Sequence, residues 1–178
     1  MHIIIDGYNL IRQSDFLREA ERISLEAGRH LLVTELVKYN RKRRHRVTVV
    51  FDGWEEGSFR EEHMDEGGVH IVYSRRGERA DEVIKRLCRR AGGSELVVVS
   101  SDREVAMYAE RSGGVSLSSP EFEVRLMDPG DEPPLRDNHH FEGDEEDQRD
   151  VSLTTRKKGP ARRLSKRKRK TIRAVRKL

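Results

Sequence analysis

Four short apolar runs interrupt an otherwise polar chain: "IIID" at 3–6, "VTVVFD" at 47–52, "VHIVYS" at 69–74 and "ELVVVSSD" at 95–102. They are nearly continuous Val, Ile and Leu, the pattern of parallel strands covered on both faces. A weaker run, "GVSLSS" at 114–119, is a candidate fifth strand. Helical periodicity fills the gaps between them. Residues 15–43 read as one bent helix or two, with Gly28 as the expected break. In 79–91, Val83, Ile84, Leu87, Cys88 and Ala91 share one helical face. Residues 102–112 turn Val105, Ala106 and Ala109 inward, and "SPEFEVRLM" at 119–127 opens with Ser119 as expected N-cap and Pro120 at the first position. The order strand, helix, strand, strand, helix, strand, helix predicts an α/β sandwich with a largely parallel sheet.

Composition divides the chain further. Its 178 residues suit one domain with an appendage, yet 38% are charged and only 34% hydrophobic, too polar for a single compact globule. The net charge of +4 hides a segregation. Residues 1–128 are near neutral at −2, 129–150 carry −7, and 151–178 carry +13 with no acid at all. The reading is a globular domain, an acidic disordered linker and a basic tail. His139 and His140 in the linker are weak metal candidates, because adjacent residues on flexible chain are poorly preformed as ligands. The tail's "LSKRKRKTIRAVRKL" at 164–178 can form a basic helix with a thin apolar stripe of Ile172, Val175 and Leu178. On a mobile segment, such a density of cations, Arg167 and Arg169 among them, is a footprint for nucleic acid. Membrane-surface binding competes poorly, since the stripe has no aromatic anchor. No run is long enough to span a membrane and no signal-peptide pattern opens the chain, so a soluble cytoplasmic protein is expected. The one cysteine, Cys88, excludes an internal disulfide and reads as a small core residue.

Candidate chemistry lies at the strand ends. Three of the four strong runs close on aspartate: Asp6, Asp52 and Asp102. In a parallel sheet these ends share one edge, where open α/β folds place their sites. Asp81 begins the helix after "SRRGER" and belongs to the same edge. Clustered carboxylates repel unless a cation neutralises them, and oxygen-only ligands favour Mg²⁺ or Mn²⁺. Such an ion polarises a phosphodiester and activates water. Each acid also has a plain structural use. Asp6 and Asp52 precede Gly7 and Gly53 and suit turns; Asp81 suits a helix dipole; Asp102 suits a cap. No P-loop, G-x-G-x-x-G or G-x-S-x-G motif is present, and no strand-end lysine completes a receiver-type acid pocket.

In this order and spacing, "IIIDGYNLI", "VVFDG", "RGERADEVI" and "VVVSSDREVA" resemble the YacP-like branch of the NYN domains, within the PIN-like nuclease superfamily. The resemblance covers roughly residues 1–128. It implies a three-layer α/β/α fold and a metal-dependent endoribonuclease acting on single-stranded RNA, with Mg²⁺ or Mn²⁺ as cofactor. The family acids map to Asp6, Asp52, Asp81 and Asp102, and Asn9 and Ser101 fall where family polar residues support metal or phosphate. Asp6, Asp81 and Asp102 are then the expected metal ligands, directly or through water, and Asp52 the residue orienting a metal-bound water. Asn9 either contacts the scissile phosphate, holds its loop, or forms an Asx-type turn. Arg75, Arg76, Arg79 and Arg103 are candidate phosphate contacts whose alternative is a solvated surface. Tyr8 suits packing better than base stacking, and "RKRRHR" at 41–46 closes a helix where cations favour the dipole. RNA is the expected partner, with the ribosome as a candidate site of action. The rival is a non-catalytic RNA- or ribosome-binding protein working through its tail, and a toxin-like nuclease with a partner is a third reading. The acidic linker has a further candidate use, masking the tail until RNA displaces it.

Overall fold

The computed structural model describes residues 1–53, 58–91, 95–127 and 166–178, with side chains from 169 onward in the last stretch. In chain order the elements are β1 (His2–Asp6), α1 (Gly7–Gln13), α2 (Asp15–Ile23), α3 (Leu25–Arg43), β2 (Arg46–Phe51), β3 (Glu62–Glu66), β4 (Val69–Tyr73), α4 (Ala80–Ala91), β5 (Leu96–Val99), α5 (Arg103–Arg111), β6 (Val115–Leu117), α6 (Ser119–Met127) and α7 (Lys166–Val175). One six-stranded sheet runs β3-β4-β2-β1-β5-β6. Every pairing is parallel except β3 with β4.

The apolar strands are apolar because helices cover both sides. Ile3 and Ile5 of β1 face a core shared with α1, α2, α3, α6 and α7, while Ile4 faces a second core shared with α4 and α5. All three isoleucines are fully buried. The result is the expected three-layer α/β/α sandwich with a mainly parallel sheet. Chain connections leave β1 toward β2 and leave β5 toward β6, so the topology switches between β1 and β5. Cys88 is buried in the second core, where burial pushes its thiol up to about 11.

Three local expectations are corrected. The helical stretch after residue 14 breaks at Ser24, not Gly28. Ser14 and Ser24 are N-caps, accepting from the N–H groups of Leu17 at 3.1 Å and Ala27 at 3.0 Å. Gly28 lies buried inside α3, where a Cβ would stand 3.1 Å from Cα of Glu21, so it lets α2 pack closely rather than ending a helix. The α6 cap is Ser118, whose N–H and hydroxyl both donate to Glu121 of the first turn, the reciprocal half of a capping box. Strand β3 was not expected at all. Its sequence "EHMDE" is exposed throughout and carries no apolar alternation. It pairs with β4 across a tight turn, helped by Asp65 on His70 (2.9 Å) and by His63 on His70 (3.1 Å).

The end of the basic tail is docked, not mobile. Ala174 and Leu178 are buried in the first core. The Tyr39 hydroxyl donates to the Leu178 carbonyl at 2.8 Å, and His45 meets the Lys177 carbonyl at 2.8 Å. Lys177 pairs with Glu95 at 3.1 Å, and Lys170 donates to the Gly113 carbonyl. Glu95 and Gly113 precede β5 and β6, so α7 lies at the N-terminal edge of the sheet. Of the expected stripe, Leu178 is buried and Ile172 and Val175 are half-buried, with Ala174 completing the contact. The acidic linker, His139 and His140 lie outside the described residues. No helix among the described residues is long and apolar enough to cross a membrane.

Candidate metal and phosphate site

The four aspartates occupy the opposite, C-terminal edge. Asp6 ends β1, Asp52 follows β2, Asp81 sits in the first turn of α4, and Asp102 caps α5 after β5. Parallel register brings these ends together: Asp6 lies level with Val50, and Ile5 with Val99. Two close approaches keep the edge tight. A Cβ on Gly7 would stand 2.3 Å from the Phe51 ring, and one on Gly53 would stand 1.7 Å from the Ser74 carbonyl oxygen. Each glycine after an aspartate therefore serves chain packing beneath the site.

Burial and neighbouring acids act together on two of these carboxyls. Asp6 is 8% exposed, and burial pushes its carboxyl up to about 6. Bonds from the Asn9 N–H and the Ser100 hydroxyl, each at 3.2 Å, oppose that rise, while Asp81 and Asp52 add to it. The Asp81 carboxyl is also raised, chiefly by desolvation and then by Asp102, with Arg79 opposing. No lysine or arginine among the described residues forms an ion pair with any of the four. Asp52 and Asp102 each commit one oxygen to backbone. Asp52 Oδ1 accepts from the Ala80 N–H at the start of α4, and Asp102 Oδ1 accepts from Glu104 at 2.7 Å and Val105 at 3.1 Å. The structural uses expected for these two acids are thus real, and they leave Oδ2 on each.

The donor set fits a hard divalent cation in its chemistry: oxygen ligands only, with Asp6 and Asp81 raised by burial and by neighbouring acids and no direct ion pair to any of the four among the described residues. Its side chains are not gathered as ligands, since no three His, Cys, Asp or Glu among the described residues stand close enough to hold a metal ion.

Serines and Asn9 brace the edge. Ser100, buried, donates to Asp6 Oδ2 and accepts the Asp102 N–H at 3.1 Å, tying two acids together. Asn9 lies inside α1, so it forms no Asx turn. Its Oδ1 accepts from the Ser101 N–H at 2.9 Å and the Ser119 hydroxyl at 2.8 Å. The Ser101 hydroxyl donates to Gln13 at 3.0 Å. Asn9 and Ser101 therefore clamp α1, the β5 loop and α6, the loop-holding use among those expected of Asn9. Ser100 and Ser119 were not anticipated. The clue to Ser100 was its period-two place after Val98, which turns it toward the second face of the strand end.

Comparison with known proteins now adds to the geometry. The sequence profile of the YacP-like NYN domain matches residues 3–177. The chain belongs to the YacP-like NYN domain family. An uncharacterized protein YacP of Bacillus subtilis (strain 168) is 28% identical over 102 residues, which cover 56% of this chain and 59% of that protein. The match thus spans less than two thirds of the curated relative. Crystal structures of Rae1 (YacP) from Bacillus subtilis and of a point mutant of it superpose with TM-scores of 0.60 and 0.61 at 24% and 23% identity, covering 71% of this chain and 74% of theirs. They share this α/β fold. The family match also runs past residue 128 to include α7, wider than the resemblance drawn from the four motifs.

Within this NYN domain the arginines differ in freedom. A groove of about 660 Å³ beside the start of α4 is lined by Arg75, Arg76, Arg79, Arg86 and Arg89. Arg75 pairs with Glu78 at 3.4 Å, and Arg86 pairs with Glu78 and Glu61. Arg76 lies over the Phe59 ring at 5.9 Å, and Arg79 is exposed near Asp81. Arg103 is exposed beside a separate hollow along α5 with Met107 and Arg111. Tyr8 is buried against Phe51, ring centroids 5.3 Å apart, as packing required. Arg169 is exposed on α7, remote from the carboxylates, and the Arg167 side chain lies outside the described residues.

Proposed function

We propose that this protein is a metal-dependent endoribonuclease of single-stranded RNA, acting in the cytoplasm, with the ribosome as a candidate place of action. The observation that carries the reading is the edge itself: four aspartates from four elements at the C-terminal ends of the strands, with Asp6 and Asp81 held above the usual carboxylate range by burial and by neighbouring acids, and none of the four in an ion pair among the described residues. Asp6, Asp81 and Asp102 would hold Mg²⁺ or Mn²⁺, directly or through water. When bound, such an ion polarises a phosphodiester and makes water a nucleophile near neutral pH. Asp52, fixed by the Ala80 N–H, presents its other oxygen to orient the attacking water. Ser100 holds Asp6 and the Asp102 backbone in register. Arg76 and Arg79 bind RNA phosphates beside the carboxylates, and the N-terminus of α4 adds favourable dipole.

The second reading, a non-catalytic RNA- or ribosome-binding protein, draws on the exposed cations of α7. One experiment separates the two. Purified protein is incubated with single-stranded RNA and Mg²⁺ or Mn²⁺, with EDTA and Asp81→Asn as controls. Metal-dependent cleavage lost in both controls supports the nuclease. RNA binding without cleavage, including of ribosome-bound message, supports the rival.

A further inference from the structure

A second concavity opens beside Asp52. It lies between α3 and the β3–β4 hairpin, has a volume of about 660 Å³, and reaches Asp52 and Gly53 at the carboxylate edge. That volume is in the range that encloses a small ligand. Its wall includes Tyr8, Arg29, Tyr73, Glu62 and Glu66. Arg29 is held as a flat surface. It donates to the Tyr8 hydroxyl at 3.3 Å and lies 5.6 Å over the Tyr73 ring. Tyr73 in turn is stacked on Phe51, centroids 5.6 Å apart. Arg29 is half-buried and makes no ion pair among the described residues, although glutamates share the cleft.

Two groups in this wall select in different ways. A guanidinium plane braced by aromatic rings is a platform on which an unstacked base can lie. Carboxylates repel phosphate but accept hydrogen bonds from amino groups on base edges. Phosphates would therefore pass outside, along the groove of Arg76 and Arg79, while a base turns inward. Phe59, which is 82% exposed, lines the arginine groove, and its neighbours Ser58 and Arg60 line the cleft.

We propose that this cleft takes one unpaired base next to the cleaved phosphodiester, stacked on Arg29, and that Glu62 and Glu66 favour bases bearing an exocyclic amino group over uracil. The proposal rests on the reading of RNA as substrate and adds a rule for which RNA is taken.

The test is fluorescence anisotropy in EDTA, where no cleavage occurs, with eight-nucleotide oligomers of A, C and U. Wild type is expected to bind A and C about tenfold more tightly than U, the scale of one base-edge contact. Arg29→Lys keeps the charge but loses the plane, and should reduce binding of A, C and U alike by about tenfold. Glu62→Gln with Glu66→Gln should erase the preference and leave U binding as it was or stronger. Equal affinities for A, C and U, or an Arg29→Lys variant that behaves as wild type, overturn the proposal. The outcomes are separable from those of the nuclease reading. Base preference without metal-dependent cleavage removes the nuclease and leaves the cleft. Cleavage without base preference removes the cleft alone.

Discussion

The two edges of the sheet treat charge in opposite ways. At the N-terminal edge, Lys177 is paired with Glu95 and Lys170 with the Gly113 carbonyl. There the charges are compensated, and their effect is to pin α7 over the core. At the C-terminal edge Asp6, Asp52, Asp81 and Asp102 have no ion pair among the described residues, and burial, with Asp81 and Asp52 adding to it, pushes the Asp6 carboxyl up to about 6. Satisfied charge marks architecture; unsatisfied charge of one sign marks a place for something not in the chain. The difference also divides the tail. Among the described residues, Lys170 and Lys177 tie the helix down, while Arg169, Arg173 and Arg176 are exposed to meet a polyanion.

The largest effect that would break this comparison concerns catalysis. Asp6→Asn or Asp81→Asn should lower metal-dependent RNA cleavage by about a hundredfold or more, with the circular dichroism of the fold unchanged. Activity near wild type in either variant would make the acids architectural after all.

Next comes stability against pH. Burial holds the Asp6 proton up to about 6, against 3.8 for the ordinary side chain. The folded state thus binds a proton that the unfolded chain has released. This group's contribution is full below about pH 4 and is lost as pH rises to about 6, by about 3 kcal/mol at 1.36 kcal/mol per pH unit. Urea unfolding in EDTA should show wild type losing stability relative to Asp6→Asn across that window. Mg²⁺ should restore the loss above pH 6, because it binds the ionised form. Parallel curves for the two proteins would mean that Asp6 is not desolvated.

At the other edge, Ala174→Asp buries a charge under α7 and should cost about 2 kcal/mol by urea unfolding. Replacing Arg169, Arg173 and Arg176 by Ala should leave stability within about 0.5 kcal/mol. It should reduce the salt slope of RNA binding by up to about one per residue, without changing cleavage chemistry. An unchanged slope would make the whole tail architectural. At the carboxylate edge, Asn9→Ala removes the acceptor shared by Ser101 and Ser119 and should cost about 1–2 kcal/mol by urea unfolding.

Much of this is legible in the sequence. The apolar runs gave the parallel strands because burial on both faces leaves no polar alternation to obscure them. The strand-end aspartates were visible for the same reason, each being the first acid after such a run. What stayed hidden depends on contacts between distant residues. Strand β3 has no apolar residue but Met64, so only its pairing with β4 defines it. Arg29 reads as one more helix arginine until Tyr8 and Tyr73 are seen to hold it. Ser24 outranks Gly28 as a break because a capping hydroxyl decides where a helix starts, whereas a glycine in a helix can serve close packing. The docking of α7 could not be read from charge, which pointed outward to nucleic acid while Ala174 and Leu178 pointed inward.

Strand β3 has one more consequence. It is the outermost strand, and an outermost strand offers unpaired backbone groups to any other chain that can align with it. Here that row carries Glu62, Asp65 and Glu66, all exposed, over five residues. Two copies approaching along this side would bring like charges face to face, which discourages sheet-to-sheet association and fibre growth. At the far side the last strand, β6, is only three residues long. The protein's colloidal behaviour therefore depends on acids that add nothing to its core, and neutralising Glu62 and Glu66 together should bring on self-association at concentrations well above those of the binding measurement, visible by light scattering.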